Sequence, residues 1–162
     1  MTAQQLIVIA TFEDERIARD ALQVLTEAHH EERLTFKAYA LVRRDEEKKL
    51  HVEETGDLGG VAGAVSGGAL GVTLGLLAGP IGLAALTGAV VGGVALKLRD
   101  TGVKNDEIRA VGEGLKPGLA ALVVLAEEGS EDLIAEKLAL NGGVVVKAEL
   151  AEEDVPPAEE KA

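Results

Sequence analysis

The chain predicts an α+β fold, and three observations carry that expectation. A strand–helix–strand pattern opens the sequence, the same order recurs in its last third, and a long charge-free segment lies between them. The first unit begins with Leu6-Ile7-Val8-Ile9-Ala10, a short unbroken apolar run that reads as a buried strand. From Asp14 the apolar positions become Ile17, Ala18, Ala21, Leu22, Leu25 and Ala28, a helical stripe with acids in its first turn, expected to stop near His29 and His30. Phe36, Ala38, Ala40 and Val42 then alternate with Lys37, Tyr39, Leu41 and Arg43. After a polar turn at residues 45–48, Leu50 and Val52 alternate with Lys49, His51 and Glu53, which makes a β-hairpin.

In the second unit Leu122-Val123-Val124-Leu125 is the strand. Ser130 is expected to cap a helix carrying Leu133, Ile134, Leu138 and Leu140; Asn141-Gly142-Gly143 ends it, and Val144-Val145-Val146 gives the last strand. A short helix over about 104–115, with Asn105 as its cap, precedes this unit and exits through Lys116-Pro117-Gly118. Two such units in one sheet, with both helices on one face, make a ferredoxin-like sandwich of two βαβ units, here with an extra strand from residues 48–54. The organisation is then residues 4–55 and 104–150 as the two halves of that domain, residues 58–98 as an inserted glycine-zipper helical hairpin, and residues 151–162 as an acidic tail with so little to bury that it reads as disordered.

Composition narrows the function classes. Apolar residues make up 47% of the 162, yet Phe12, Phe36 and Tyr39 are the only aromatics and there are 20 glycines, so a core must be built by bringing backbones close together. A net charge of −12, with 28 acids against 16 bases, argues against a nucleic-acid partner, because phosphate contacts need clustered Lys and Arg. The absence of cysteine removes disulfides, thiolate nucleophiles and cysteine zinc sites, and the start lacks the basic region of a secretory signal.

The central segment stands above this background. No charged residue occurs from Leu58 through Leu96, and Gly79-Pro80 divides the run into two arms. As helices these arms would span roughly 33 and 26 Å against about 30 Å for the hydrocarbon core of a bilayer, so a membrane hairpin is geometrically feasible. Gly59, Gly63, Gly67, Gly71, Gly75 and Gly79 fall on every fourth residue, and Gly88 and Gly92 continue the spacing beyond Pro80. Residues four apart share a helix face, and glycine there lets two backbones approach more closely than side chains permit. Interior glycines each cost roughly 0.5–1 kcal/mol relative to Ala, so the first arm is expected to be helical only when packed, in lipid, in an assembly, or on its own sheet. Lys97, Arg99 and Lys104 follow the run while Glu53, Glu54 and Asp57 precede it, a weak basic flank that favours a cytoplasmic domain on an inner membrane.

Several of these features together resemble a bacterial family, domain of unknown function 1269. They are the short strand and amphipathic helix, Asp57-Leu58 before the glycine stripe, Leu76-Leu77-Ala78-Gly79-Pro80-Ile81-Gly82 at its centre, and Leu115-Lys116-Pro117-Gly118 leading into Leu119 to Leu125. The likeness covers about residues 4–150. It implies a membrane protein of uncharacterised function, in some members stress-related, without an accepted enzymatic activity.

Chemistry-bearing constellations are sparse. The glycine-rich stretch lacks the Gly-Lys-Ser/Thr ending and any internal lysine of a phosphate loop. His29 and His30, near Glu27, Glu31 and Glu32, point about 100° apart on a helix and read as a solvated helix end; His51 has no partner in view. Glu13, Asp14 and Glu15 sit where a helix dipole favours acids, and Ser66 and Ser130 lack a nucleophile-elbow pattern. The sequence therefore nominates no catalytic, cofactor-binding or metal-binding residue and no cofactor. Its site residues are those of helix packing: Gly59, Gly63, Gly67, Gly71, Gly75, Gly79, Pro80, Gly88 and Gly92. The expectation is a non-enzymatic, membrane-associated protein that assembles with itself as a scaffold or pore, with other copies and the bilayer as partners. The alternative is a soluble, cytoplasmic homo-oligomeric module whose hairpin makes subunit contacts and whose sheet holds a small ligand.

Overall fold

The computed structural model describes residues 4–57, 69–79, 83–86 and 106–151. In chain order the elements are β1 (Gln4–Phe12), α1 (Glu15–His30), β2 (Phe36–Arg44), β3 (Leu50–Asp57), α2 (Ala69–Ala78), β4 (Leu83–Leu86), α3 (Asp106–Gly114), β5 (Ala120–Ala126), α4 (Glu131–Leu140) and β6 (Val144–Ala151). The six strands form one sheet of order β4-β3-β2-β5-β1-β6, antiparallel at every pairing except β3 with β4. The fold is α+β, as the sequence predicts.

β5 lies near the middle of the sheet and all seven of its residues are buried, with Val123 opposite Ile9 of β1 and Ala40 of β2. Side-chain alternation divides the core into two layers. Val8, Ala10, Leu122 and Val124 face α1 and α4, whereas Ile7, Ile9, Val123 and Leu125 face α2 and Ile108 of α3. α1 and α4 therefore share a face, and α2 with Ile108 of α3 supplies cover for the other.

α1 begins where the Ile17 amide donates to the Asp14 carboxylate at 2.9 Å, and it buries Ala18, Ala21, Leu22, Leu25 and Ala28. Alternating small and large residues let this helix sit close to the sheet. α4 ends in a Schellman arrangement: the Gly143 and Gly142 amides donate to the Leu138 and Ala139 carbonyls, with Gly142 at φ +94°. Its start departs from expectation. Ser130 occupies the cap position but makes no side-chain cap bond, and its hydroxyl instead accepts from the Thr35 amide at 3.0 Å, tying the α4 entry to the approach of β2.

Three further expectations need correction. Phe36 does not share a face with Ala38, Ala40 and Val42: the register slips by one residue between Phe36 and Ala38, so the ring joins the α1 and α4 layer. His29 is not simply solvated, since its ring packs on Phe36 with centroids 4.9 Å apart. Within the second arm of the expected helical hairpin, Leu83–Leu86 is a strand parallel to β3, with Leu50 paired to Leu83. A four-residue apolar run fits either period, and here it satisfies the outer hydrogen-bonding edge of β3. α2 has 10 residues, a length of about 15 Å, and no helix among the described residues is long and apolar enough to cross a bilayer. Gly59, Gly63, Gly67, Pro80, Gly88, Gly92, Asn105 and residues 152–162 lie outside the described residues.

On the α1 side, Tyr39 pairs across the strands with Gly56, where any β-carbon would overlap the phenol ring. The phenol donates to Glu54 at 3.1 Å, and Glu54 also pairs with Arg19, which holds Glu15 at 2.7 Å. Burial first, and then the Glu54 charge and hydrogen bond, push the Tyr39 hydroxyl up from 10.0 to about 12. Because the neutral phenol is favoured in the fold, its contribution to stability is complete below the unfolded value near 10 and is lost as pH rises through about 12. Tyr39 is the sole tyrosine and there is no tryptophan, so phenolate absorbance reports it directly. Half-ionisation is expected near pH 12 in the folded protein and near 10 in denaturant, with Glu54→Gln moving the folded value down.

Candidate functional site

The β2–β3 turn ends the α2 and α3 side of the sheet with an unusual arrangement. Arg44, last residue of β2, is in phase with Ala38, Ala40 and Val42, and the strand directs its side chain into the buried layer, where it is 5% exposed. All five guanidinium N–H directions find backbone carbonyls. Nε donates to Leu115 at 3.0 Å, Nη1 to Lys48 at 3.0 Å and Ala78 at 3.5 Å, and Nη2 to Leu77 and Gly112 at 2.9 Å each. Four of these acceptors belong to the C-terminal ends of α2 and α3 or the residue just beyond. Carbonyls at a helix end lack the usual i+4 amide partner, although that of Gly112 also accepts from the Leu115 amide at 3.2 Å, and they carry the negative ends of the helix dipoles, so a planar cation complements them and balances two dipoles at once. Burial lowers the Arg44 pKa, and nearby Asp45 opposes that shift.

Local sequence explains how the surroundings hold this geometry. The turn places Lys48 at φ +68°, a left-handed conformation that costs about 1 kcal/mol for a non-glycine residue, and it aims the Lys48 carbonyl at Nη1. Asp45 stabilises the turn by accepting from the Glu47 and Lys49 amides at 2.8 and 2.9 Å, while its second oxygen meets His51 Nε2 at 2.6 Å. The His51 bond, followed by the Lys49 amide, draws the Asp45 carboxyl below its ordinary range. On the other flank Lys116-Pro117-Gly118-Leu119 closes a turn with Gly118 at φ +92°, and the Gly118 amide donates to the Arg44 carbonyl at 3.1 Å.

α2 and α3 meet at Gly112. A β-carbon there would collide with the backbone of Leu77, the residue whose carbonyl shares Nη2 with that of Gly112. Gly112 thus permits the close contact between α2 and α3. Gly71 and Gly75 lie on the partly exposed side of α2, Gly79 follows its end at φ +69°, and Leu70, Thr73, Leu74 and Leu77 turn inward.

Beside the guanidinium opens a cavity of about 480 Å³, walled by Leu76, Leu77, Ala78, Leu115 and Pro117. Lys48, Arg109 and Lys116 stand around it with a single acid, Glu113. None of the three cations has an ion pair among the described residues. The histidines and acids that the sequence offers for catalysis or metal binding do not converge here. His29 and His30 end α1, Glu13 to Glu15 begin it, and His51 joins Asp45; no group of three or more ligand-type side chains among the described residues could hold a metal ion.

A family model described as protein of unknown function (DUF1269) matches residues 64–160, more than half the chain. The chain belongs to that family. The matched region contains α2, α3 and four of the carbonyls that bind Arg44, while Arg44 and Lys48 come from the preceding hairpin. Neither curated proteins nor solved structures give a match.

Two substitutions test the arrangement. Arg44→Lys keeps a charge but supplies three donors in place of five, and a loss of about 2–4 kcal/mol in denaturant unfolding is expected as helix-end carbonyls lose their partners. Gly112→Ala is expected to lower stability by about 1–3 kcal/mol through overpacking against Leu77, reversing the helix-propensity gain that alanine brings elsewhere. Gly114→Ala, where a β-carbon meets open space, is the control and should be neutral or stabilising.

Proposed function

We propose that this protein is a non-enzymatic, self-associating module of ferredoxin-like topology in which the glycine face of the apolar segment receives a helix from a second copy. The observation that carries this reading is the orientation of α2. Its large side chains Leu70, Leu74 and Leu77 are taken up by its own sheet, and Gly71 and Gly75 are left on the partly exposed side. A helix face of that kind suits close backbone approach by another helix. The ferredoxin-like part of the reading is supported by the antiparallel order β6-β1-β5-β2 and by the shared face of α1 and α4. A non-enzymatic role accords with the dispersed titratable groups: Asp45 and His51 serve the turn, and Glu15 and Glu54 serve the Tyr39 network.

Membrane association at an inner membrane is the second reading, favoured by the charge-free run from Leu58 through Leu96. In that setting the segment would leave the sheet and insert, with the rest of the domain cytoplasmic.

Detergent-free expression, carbonate extraction and light scattering of the full chain separate these readings. A soluble assembly whose mass falls at least about twofold in Gly71→Leu/Gly75→Leu is the expected result, since the added side chains block helix approach. An unchanged mass in that variant overturns the proposal, and recovery solely in a carbonate-resistant pellet replaces it with the membrane reading.

A further inference from the structure

The cavity at the α2 and α3 ends has a chemical character opposite to that of the chain. The protein carries −12 overall, yet the cavity presents Lys48, Arg109 and Lys116 against Glu113, above a guanidinium that has no carboxylate partner among its hydrogen bonds. The three rim cations are exposed, while the leucines of the wall are buried. A volume of about 480 Å³ falls within the range of small-molecule sites, roughly 300–1,000 Å³. Its walls are mainly aliphatic, so they lower the local dielectric and strengthen the attraction of the rim for an anion. Arg44 itself donates nothing further, because its five directions are used; it contributes fixed positive charge, partly offset by the helix ends it binds.

We propose that this cavity binds a single-chain anionic amphiphile, with the alkyl chain against Leu76, Leu77, Leu115 and Pro117 and the acidic head among Lys48, Arg109 and Lys116. Both halves of the ligand follow from the lining. An apolar guest alone would leave the cations without a counter-charge, and a small inorganic anion would leave most of the cavity of about 480 Å³ unfilled. Among the described residues the acids do not fill the role: Asp45 is committed to its turn and His51, and Glu113 stands singly. The inference is independent of self-association, since it rests on the side of α2 that meets α3 and not on the glycine face.

The test is calorimetric titration of the full chain with decanoate, with decyltrimethylammonium as the cation of equal chain length and with acetate as the chainless anion. Decanoate is expected to bind one per chain. The other two should bind at least about tenfold more weakly, a difference of about 1.4 kcal/mol. Arg109→Gln/Lys116→Gln alters only exposed side chains and is expected to weaken decanoate about tenfold with an unchanged thermal midpoint. Amide shifts on titration should centre on Ala78, Gly112 and Leu115. Equal binding of the cationic surfactant, equal binding of acetate, undiminished affinity in the double variant, or shifts centred elsewhere would each overturn the proposal. So would binding to phosphatidylglycerol vesicles without binding of free decanoate, which would make the cations a membrane-facing patch.

Discussion

The guanidinium of Arg44 is the constraint on which the α2 and α3 layer depends. A buried cation ordinarily requires a carboxylate, and an unpaired one is strongly unfavourable. Here the compensation comes from five carbonyls, most of them at two helix ends, where the regular i+4 amide partners run out. Each side solves the other's problem. Lysine could not do this, because its ammonium has three donors on one atom, whereas the planar fork reaches the Lys48 turn, α2, α3 and Leu115 together. The left-handed Lys48 and the close contact at Gly112 follow as requirements of that geometry.

The opposite face is assembled by ordinary means. α1 presents Ala18, Leu22 and Leu25, α4 presents Ile134 and Leu138, and Phe12 and Phe36 fill the layer from the sheet. Apolar burial there, at roughly 25 cal/mol per Å², needs no special chemistry. The two faces thus differ. Both bury an apolar cluster, but the α2 and α3 face adds directional bonds that connect residues far apart in the chain, such as Arg44 with Leu115.

That difference decides what could be read from the sequence. α1, the β2–β3 hairpin, β5 and the glycine end of α4 were legible because each is governed by periodicity or by turn chemistry within a few residues. Phe36 departs from the alternation because a register slip in its pairing with β5 reverses it, and nothing in β2 alone marks that slip. Ser130 looks like a cap and is at the cap position, yet Thr35 claims its hydroxyl from 95 residues away. Leu83–Leu86 fits a helix as readily as a strand, because four apolar residues do not define a period. For Arg44 a signal did exist: a charged residue in phase with Ala38, Ala40 and Val42 on a buried strand. Gly112 carried a similar one, four residues after Ile108 on the buried side of α3.

The two interactions proposed for α2 share a thermodynamic consequence. Its inward side meets the sheet, Arg44 and the cavity, and its outward side carries Gly71 and Gly75. Any partner that binds α2 only in this position stabilises the layer by mass action. A ligand in the cavity and a helix on the glycine face would therefore each favour the same seated state and strengthen one another without direct contact. Insertion of the segment into lipid would require the opposite. It would detach α2 and leave the Arg44 guanidinium without the Leu77 and Ala78 carbonyls, removing two of its five acceptors. The bonds from Arg44 to the Leu77 and Ala78 carbonyls therefore oppose detachment of α2 from its own sheet, and a membrane-inserted α2 would have to form without them.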